Sequence, residues 1–299
     1  MNKHPFLMFF ASLGMVFLLI VVVALFGFYS LFGHKTPILK SDAIGVLKIE
    51  GLIYDAETVL TVLKDWKNDN HIKALLVRID SPGGVVGPSQ EIYQALKEFR
   101  KKKKVVASLG AVAASGGYYV ACAADQIVAN PGTLTGSIGV IMEFVHLQKL
   151  YQWAKIDNSV IKSGKYKDMG SPFRAMEEDE RKLLSEVIYN IHNQFKQVVA
   201  SERKMAAARI DELADGRIFS GDQAKSYGLV DKLGNFETAV EALETLAGLE
   251  KGIELTYPSK KKESVMDYIV GENTTESVNK FISGIVFKSP AMYLMPGYF

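Results

Sequence analysis

Ser115 stands among small residues in the run Ala113-Ala114-Ser115-Gly116-Gly117-Tyr118-Tyr119. Small neighbours let a substrate backbone come close, and a hydroxyl where a strand turns into a helix is placed to attack a carbonyl. The competing role is a helix N-cap, for which serine is a favoured residue. A serine hydroxyl is protonated at neutral pH, so nucleophilic work needs a base and donors for the oxyanion that forms. The chain has five histidines. His4 and His34 flank an apolar N-terminal run, His71 lies in a polar stretch before a strand pattern, and His146 and His192 lie in helical patterns. None is in a glycine-rich turn, so a Ser–His–Asp triad has poor support.

Lysine is the other available base. Its ordinary pKa of about 10.4 has to fall toward about 7 to 8, by burial and by distance from carboxylates, before it can take a proton. Ser163-Gly164-Lys165-Tyr166-Lys167 offers two candidates. Strand periodicity puts Lys165 and Lys167 on one face, so spacing does not choose between them, and the ordinary role of either is an exposed loop lysine. Gly83 and Gly84 follow an apolar run and have N–H groups free to turn toward a ligand. The N–H of Gly116, next to Ser115, is a second natural donor. A Gly-Gly pair alone is equally a plain turn.

The elements that must position these groups alternate between strand and helix. Strand patterns cover Ala43–Ile49, Ala74–Ile79, Val105–Leu109, Gln126–Ala129, Asn158–Lys162 and Arg217–Phe219. Helical patterns cover Glu57–Trp66, Ser89–Arg100, Tyr118–Ala124, His146–Lys155, Glu177–Lys204, Asp222–Tyr227 and Phe236–Ala247. Ala74–Ile79 is almost continuously apolar, as a parallel strand buried on both faces should be. This order predicts an α/β domain with a mainly parallel sheet. The basic run Lys101–Lys104 reads as a solvated helix end.

Phe6–Phe32 is an uncharged apolar run, longer than the roughly 20 residues that span a bilayer. It lacks the small-x-small site of a cleaved signal, so it reads as an uncleaved single-pass anchor. The flanking charges do not set its orientation. The chain then divides into an anchor at 1–34, a linker at 35–42, a catalytic domain at 43–250 and a tail at 251–299. That tail, with its Lys260–Lys262 charge run, is either a peripheral segment or one that binds the protein itself or a membrane. A net charge of +2 over 299 residues argues against general nucleic-acid affinity. The single cysteine, Cys122, excludes an intrachain disulfide and a multi-cysteine metal site and reads as a buried helix residue. No cofactor or metal is called for.

Five motifs occur in order: Asp80-Ser81-Pro82-Gly83-Gly84, Ala113 to Tyr119, Ala129-Asn130-Pro131, Thr135-Gly136-Ser137-Ile138-Gly139-Val140, and Ser163-Gly164-x-x-Lys167-Asp168. Together they resemble the signal peptide peptidase A family of serine peptidases, in its short single-repeat bacterial form, from about Ile44 to Leu249. The resemblance implies a fold similar to the Clp protease subunit and the crotonases, preceded here by a transmembrane helix. It implies a Ser–Lys dyad: Ser115 as nucleophile, Lys167 as general base, Ser137 orienting that lysine, and Gly83 and Gly116 in the oxyanion hole. It also implies a homo-oligomeric ring whose neighbours complete each site, a catalytic domain outside the cytoplasm, and substrates such as remnant signal peptides or other membrane-associated peptides. Two rivals are a crotonase-like acyl-CoA enzyme and an anchored protease or scaffold dedicated to a membrane-protein partner.

Overall fold

The computed structural model describes residues 5–32, 41–258 and 292–295. The chain separates into two units, Met1–Ser41 and Asp42–Phe299. In the first, α1 (Pro5–Phe32) is one 28-residue helix without a charged residue. No helix among the described residues is long and apolar enough to cross a membrane.

The second unit is the α/β domain. Its elements run β1 (Ala43–Glu50), α2 (Glu57–Asn68), β2 (Ile72–Ser81), β3 (Gly83–Val85), α3 (Val86–Arg100), β4 (Val105–Ala114), α4 (Gly116–Ala121), β5 (Gln126–Ala129) and β6 (Leu134–Gly136). There follow α5 (Gln148–Trp153), α6 (Glu178–Arg203), α7 (Ala207–Leu213), β7 (Ile218–Ser220), α8 (Gly221–Ser226), β8 (Lys232–Leu233), α9 (Phe236–Ala247), β9 (Glu254–Thr256) and β10 (Met292–Leu294). The main sheet has the order β7-β6-β4-β2-β1-β9, with β5 also on β4 and β8 on β5. All its pairs are parallel except β6 with β7. A separate two-stranded sheet joins β10 to β3.

Alternation along the central strands sends side chains to both faces. Ile44, Val46, Ala74 and Leu76 meet Ala239 and Leu243 of α9 on one side. Leu47, Ile49, Leu75, Val77 and Ile79 join the larger core, which also takes in Leu96 and Phe99 of α3, Tyr118 of α4 and Phe195 of α6. Burial on both faces is why these strands read as apolar runs.

One strand forks the sheet. Val106–Leu109 of β4 pair with β5, while Val112–Ala114 pair with β6. The break falls at Gly110, where a Cβ would lie 2.7 Å from the Asp80 carboxyl. Asp80 accepts the Val112 N–H at 3.1 Å, and Thr133 donates its hydroxyl to the Gly110 carbonyl at 2.7 Å. The second half of β4 is thereby re-aimed and carries Ser115 to the end of the sheet. Arg203 of α6 makes a two-point contact with Asp231, which also accepts the Ile127 N–H. The helix layer is tied to the β5 edge through that pair.

Three readings change. Asn158–Lys162 forms no strand: it is exposed throughout and continues into the turns that hold Lys167. β9 pairs with β1, so the sheet takes in residues beyond 250. Lys103 is no solvated helix end; its ammonium donates to the carbonyls of Trp66 and Asp69 at the C-terminal end of α2, at 2.6 and 2.7 Å. The Lys260–Lys262 run lies outside the described residues.

Tyr118 is fully buried and donates its hydroxyl to the Leu229 carbonyl at 2.8 Å. Replacement by Phe leaves that carbonyl buried and unpaired. Tyr118→Phe is expected to lower stability by about 1–2 kcal/mol in denaturant titrations, with an unchanged slope. A loss below a few tenths would mean that water replaces the hydroxyl.

Candidate active site

Ser115 occupies the turn between β4 and α4 with φ 52° and ψ −116°. A positive φ is unusual for a residue with a side chain and costs on the order of 1–3 kcal/mol. The backbone is held there from both ends. The Ser115 N–H donates to the Gly136 carbonyl, and its carbonyl accepts from Tyr119 N–H, both at 2.8 Å. The hydroxyl makes no capping bond to the helix that follows. Its Oγ is the one buried side-chain polar atom among the described residues with no hydrogen-bond partner. A cap would use the hydroxyl and would not need the strain, so the N-cap role does not hold here. An unpaired buried hydroxyl on a strained turn is expected where a reacting atom belongs.

Small residues make room around it. A Cβ on Gly116 would lie 2.8 Å from Ser89 Oγ and 3.1 Å from Gly84 N. A Cβ on Gly117 would lie 2.7 Å from the Ser81 carbonyl. Gly83 has φ +106°, and a Cβ there would lie 2.7 Å from Gly116 N. The β2–β3 turn and the Ser115 turn therefore touch backbone to backbone. The Gly83 N–H, however, donates to Ser81 Oγ at 3.1 Å. Gly84, the next residue of the same turn, lies opposite Tyr293 of β10.

Ser137 also lies here. β6 pairs with the end of β4, with Ala114 opposite Gly136, so Ser115 and Ser137 leave adjacent strands at the same level. Ser137 has φ 50°, is buried, and donates its N–H to the Arg217 carbonyl at 2.9 Å. No histidine among the described residues reaches Ser115 Oγ. His192 of α6 has its Nε2 3.2 Å from the Ile138 carbonyl. Cys122 is buried, and burial pushes its thiol up to about 12, which makes it a poor nucleophile.

The two lysines are elsewhere. Lys167 is exposed, in a turn where its N–H donates to the Gly164 carbonyl at 3.2 Å, and it makes no bond to Ser115. Residues 164–170 are turns rather than strand, so the shared-face argument for Lys165 and Lys167 falls away. Lys165 pairs with Asp179, whose carboxylate holds the ammonium pKa above its ordinary value. A lysine held protonated is the opposite of a base. The turn itself is fastened by Asp168, which accepts from Lys162 at 2.6 Å and from two nitrogens of Arg174 at 2.9 Å. Arg174 also binds both oxygens of Glu180, the first-turn carboxylate of α6. Glu180 is covered by these neighbours, with 1% of its side chain exposed, and Arg174 holds both carboxyls below their usual range. The aromatic cluster of Tyr93, Tyr119 and Phe195 beside the site was not singled out from the sequence; its members are spread over three helices and share no local pattern.

Known proteins add an independent line. Residues 97–250 match the model of Peptidase family S49, and residues 48–132 match that of Clp protease. A putative protease of Synechocystis is 47% identical over 194 residues, covering 65% of this chain and 70% of its own. One of Methanocaldococcus jannaschii is 35% identical over 233 residues, covering 77% and 75%. A putative signal peptide peptidase of Enterococcus faecium is 38% identical over 192 residues, covering 64% and 56%.

Two outcomes follow from the geometry. Ser115→Gly relieves the positive φ and is expected to stabilise the fold by about 1 kcal/mol, read as a higher melting temperature; a lower one would mean that the backbone is not strained. Asp168 and Glu180 have folded pKa values below the ordinary carboxylate value of about 4, so their contribution is complete above that value and is lost as pH falls through the lower folded ones. Proteolysis of residues 162–180 should therefore stay slow down to about pH 4 and rise below it. In Arg174→Ala it should be fast at neutral pH. Equal rates in the two proteins at neutral pH would exclude the network as the fastener.

Proposed function

Since the chain belongs to peptidase family S49, as a serine peptidase of the signal peptide peptidase A family, we propose that it cleaves peptide bonds with a Ser115–Lys167 dyad supplied by two copies of the chain. The observation that carries this reading is the strained, buried and unpartnered Ser115 hydroxyl. Among the described residues of its own subunit it has no base. Lys167 is a base candidate without a nucleophile, exposed on a segment that also exposes Leu150, Trp153, Ile156 and Ile161. Apolar side chains gathered on one exposed segment favour a protein contact. A neighbouring copy packed there would cover them and bring Lys167 to Ser115, and repetition of that head-to-tail contact closes a ring.

In the completed site Lys167 takes the Ser115 proton as the oxygen attacks the peptide carbonyl. Ser137, level with Ser115, holds the lysine amine. The oxyanion is received by the N–H groups of Gly116 and Gly83, the latter turning away from Ser81 Oγ. Lys167 then protonates the leaving amine and deprotonates the water that releases the acyl group. The substrates are remnant signal peptides and other membrane-associated peptides. The apolar α1 anchors the chain in a single pass, with the catalytic domain outside the cytoplasm.

Ser115→Ala and Lys167→Ala are each expected to lower kcat by roughly 10⁴-fold or more without dissociating the assembly. Mixing the two variants should restore part of the activity, since some sites then receive both groups; no recovery under subunit exchange would sink the shared site. Lys165→Ala should stay active. The wild-type rate should rise toward alkaline pH, because the base works only when neutral, and a flat profile would count against a lysine.

A further inference from the structure

β10 pairs with the glycine turn that touches Gly116, the residue after Ser115. Its residues pair antiparallel with β3: Met292 with Val85, Tyr293 with Gly84 and Leu294 with Gly83. Met295 N–H donates to the Pro82 carbonyl at 2.9 Å. On the opposite edge Met292 exchanges two bonds with Ile141, each 3.0 Å. The segment is thus a strand inserted between two backbone edges, one of them the glycine turn that touches Gly116. The Tyr293 carbonyl oxygen lies 2.0 Å from the point where a Cβ on Gly83 would stand, and that same point is 2.7 Å from Gly116 N. Gly83 lacks a side chain where a peptide carbonyl comes down against the candidate oxyanion region.

The side chain is held as closely as the backbone. Tyr293 is completely buried. Its ring stacks on Tyr119 at 5.1 Å between centroids and tilts against Phe195 at 4.7 Å, while Tyr93 meets Tyr119 edge-on at 5.0 Å. These rings come from α3, α4 and α6, so the pocket is built by the core. Leu294 and Met295 are buried too. Backbone pairing with side-chain pockets is how extended peptides are recognised at a sheet edge.

We propose that residues 292–295 occupy the groove in which this protein binds substrate peptides, and that the Tyr93–Tyr119–Phe195 pocket filled by Tyr293 is the subsite selecting an aromatic side chain. The chain is its own tethered competitor: Ser115 stays covered until the strand leaves. The inference rests on the reading of Ser115 as a peptidase nucleophile, and its test separates the two.

The full chain is compared with Tyr293→Ala, which empties the pocket, and with Met292→Pro, which removes the N–H given to Ile141 but keeps the ring. Two readouts are taken: phosphonylation of Ser115 by a fluorophosphonate, with loss of fluoride, mapped by mass spectrometry, and binding of a fluorescent hexapeptide with the sequence of residues 291–296. Both variants should be labelled about tenfold faster than wild type or more, the tether acting as a millimolar competitor. They should also bind the hexapeptide, which wild type excludes, and a hexapeptide with Ala for Tyr should bind about tenfold more weakly, consistent with a buried aromatic anchor. Equal labelling and equal peptide binding in all three proteins would overturn the inference. Selective hexapeptide binding by the variants without labelling of Ser115 in any protein would support the groove and overturn the nucleophile.

Discussion

The conformation of one residue organises this molecule. Ser115 is held at φ 52°, and nothing in its own local sequence favours that. The surroundings impose it: Gly136 accepts its N–H, α4 takes its carbonyl, and the glycines on either side of the contact leave no room for an alternative path. Gly136 is itself at φ +78°, and a Cβ there would meet the Phe219 ring at 2.5 Å. The fork in β4 is the larger expression of the same constraint. A strand that continued straight against β5 would end at Ala129, on the β8 side. Turning at Gly110 under Asp80 brings it to β6 instead, level with Ser137. Strain at a reacting residue persists only where the surroundings over-determine it, and here two neighbouring strands and a helix do so.

The groups proposed for catalysis rest on structures of opposite kind. Ser115, Ser137 and the glycines sit on the buried ends of parallel strands. Lys167 sits on an exposed turn whose order depends on one arginine shared between Asp168 and Glu180. An ammonium buried without a partner is costly, so an exposed turn holds this lysine without that cost in the free subunit. Packing against a second copy would remove that water at the moment the site forms. Lys165 shows the contrast within two residues: bound to Asp179, it keeps its proton.

What could be read in advance follows from the range of the interactions. Phe236–Ala247 was legible as a helix because its periodicity and its Asn235 cap are local, and the α9 limits agree. Ala74–Ile79 was legible because burial on both faces writes an apolar run. Ser115 was visible as a residue but ambiguous between cap and nucleophile; only its dihedral angles and its unpaired oxygen separate the two. Asn158–Lys162 carries two adjacent β-branched residues, Val160 and Ile161, yet no strand edge receives it, and they stay exposed. Gly83 was placed by motif in the oxyanion hole, but the direction of its N–H is set by Ser81, a short-range contact that type and spacing do not reveal. β10 was foreshadowed only as a tail that binds the protein itself; which three residues do so is set by β3 and Ile141, far earlier in the chain.

β10 also bears on how such a site can be both permissive and safe. Pairing at two edges uses only backbone groups, which every peptide offers, so it discriminates weakly. Selection then falls on the few side chains that are buried, and the aromatic pocket is the deepest of these on the described strand. A groove with so little sequence dependence would bind many exposed segments of other proteins. Covering it with an internal strand raises the threshold uniformly, because any substrate has to displace the same pairing first. A base supplied by another subunit, as proposed, would add a second condition of a different sort, one that depends on assembly rather than on peptide. Occupancy and association can then limit the same hydroxyl independently, with Ser115 held ready in its strained turn under both.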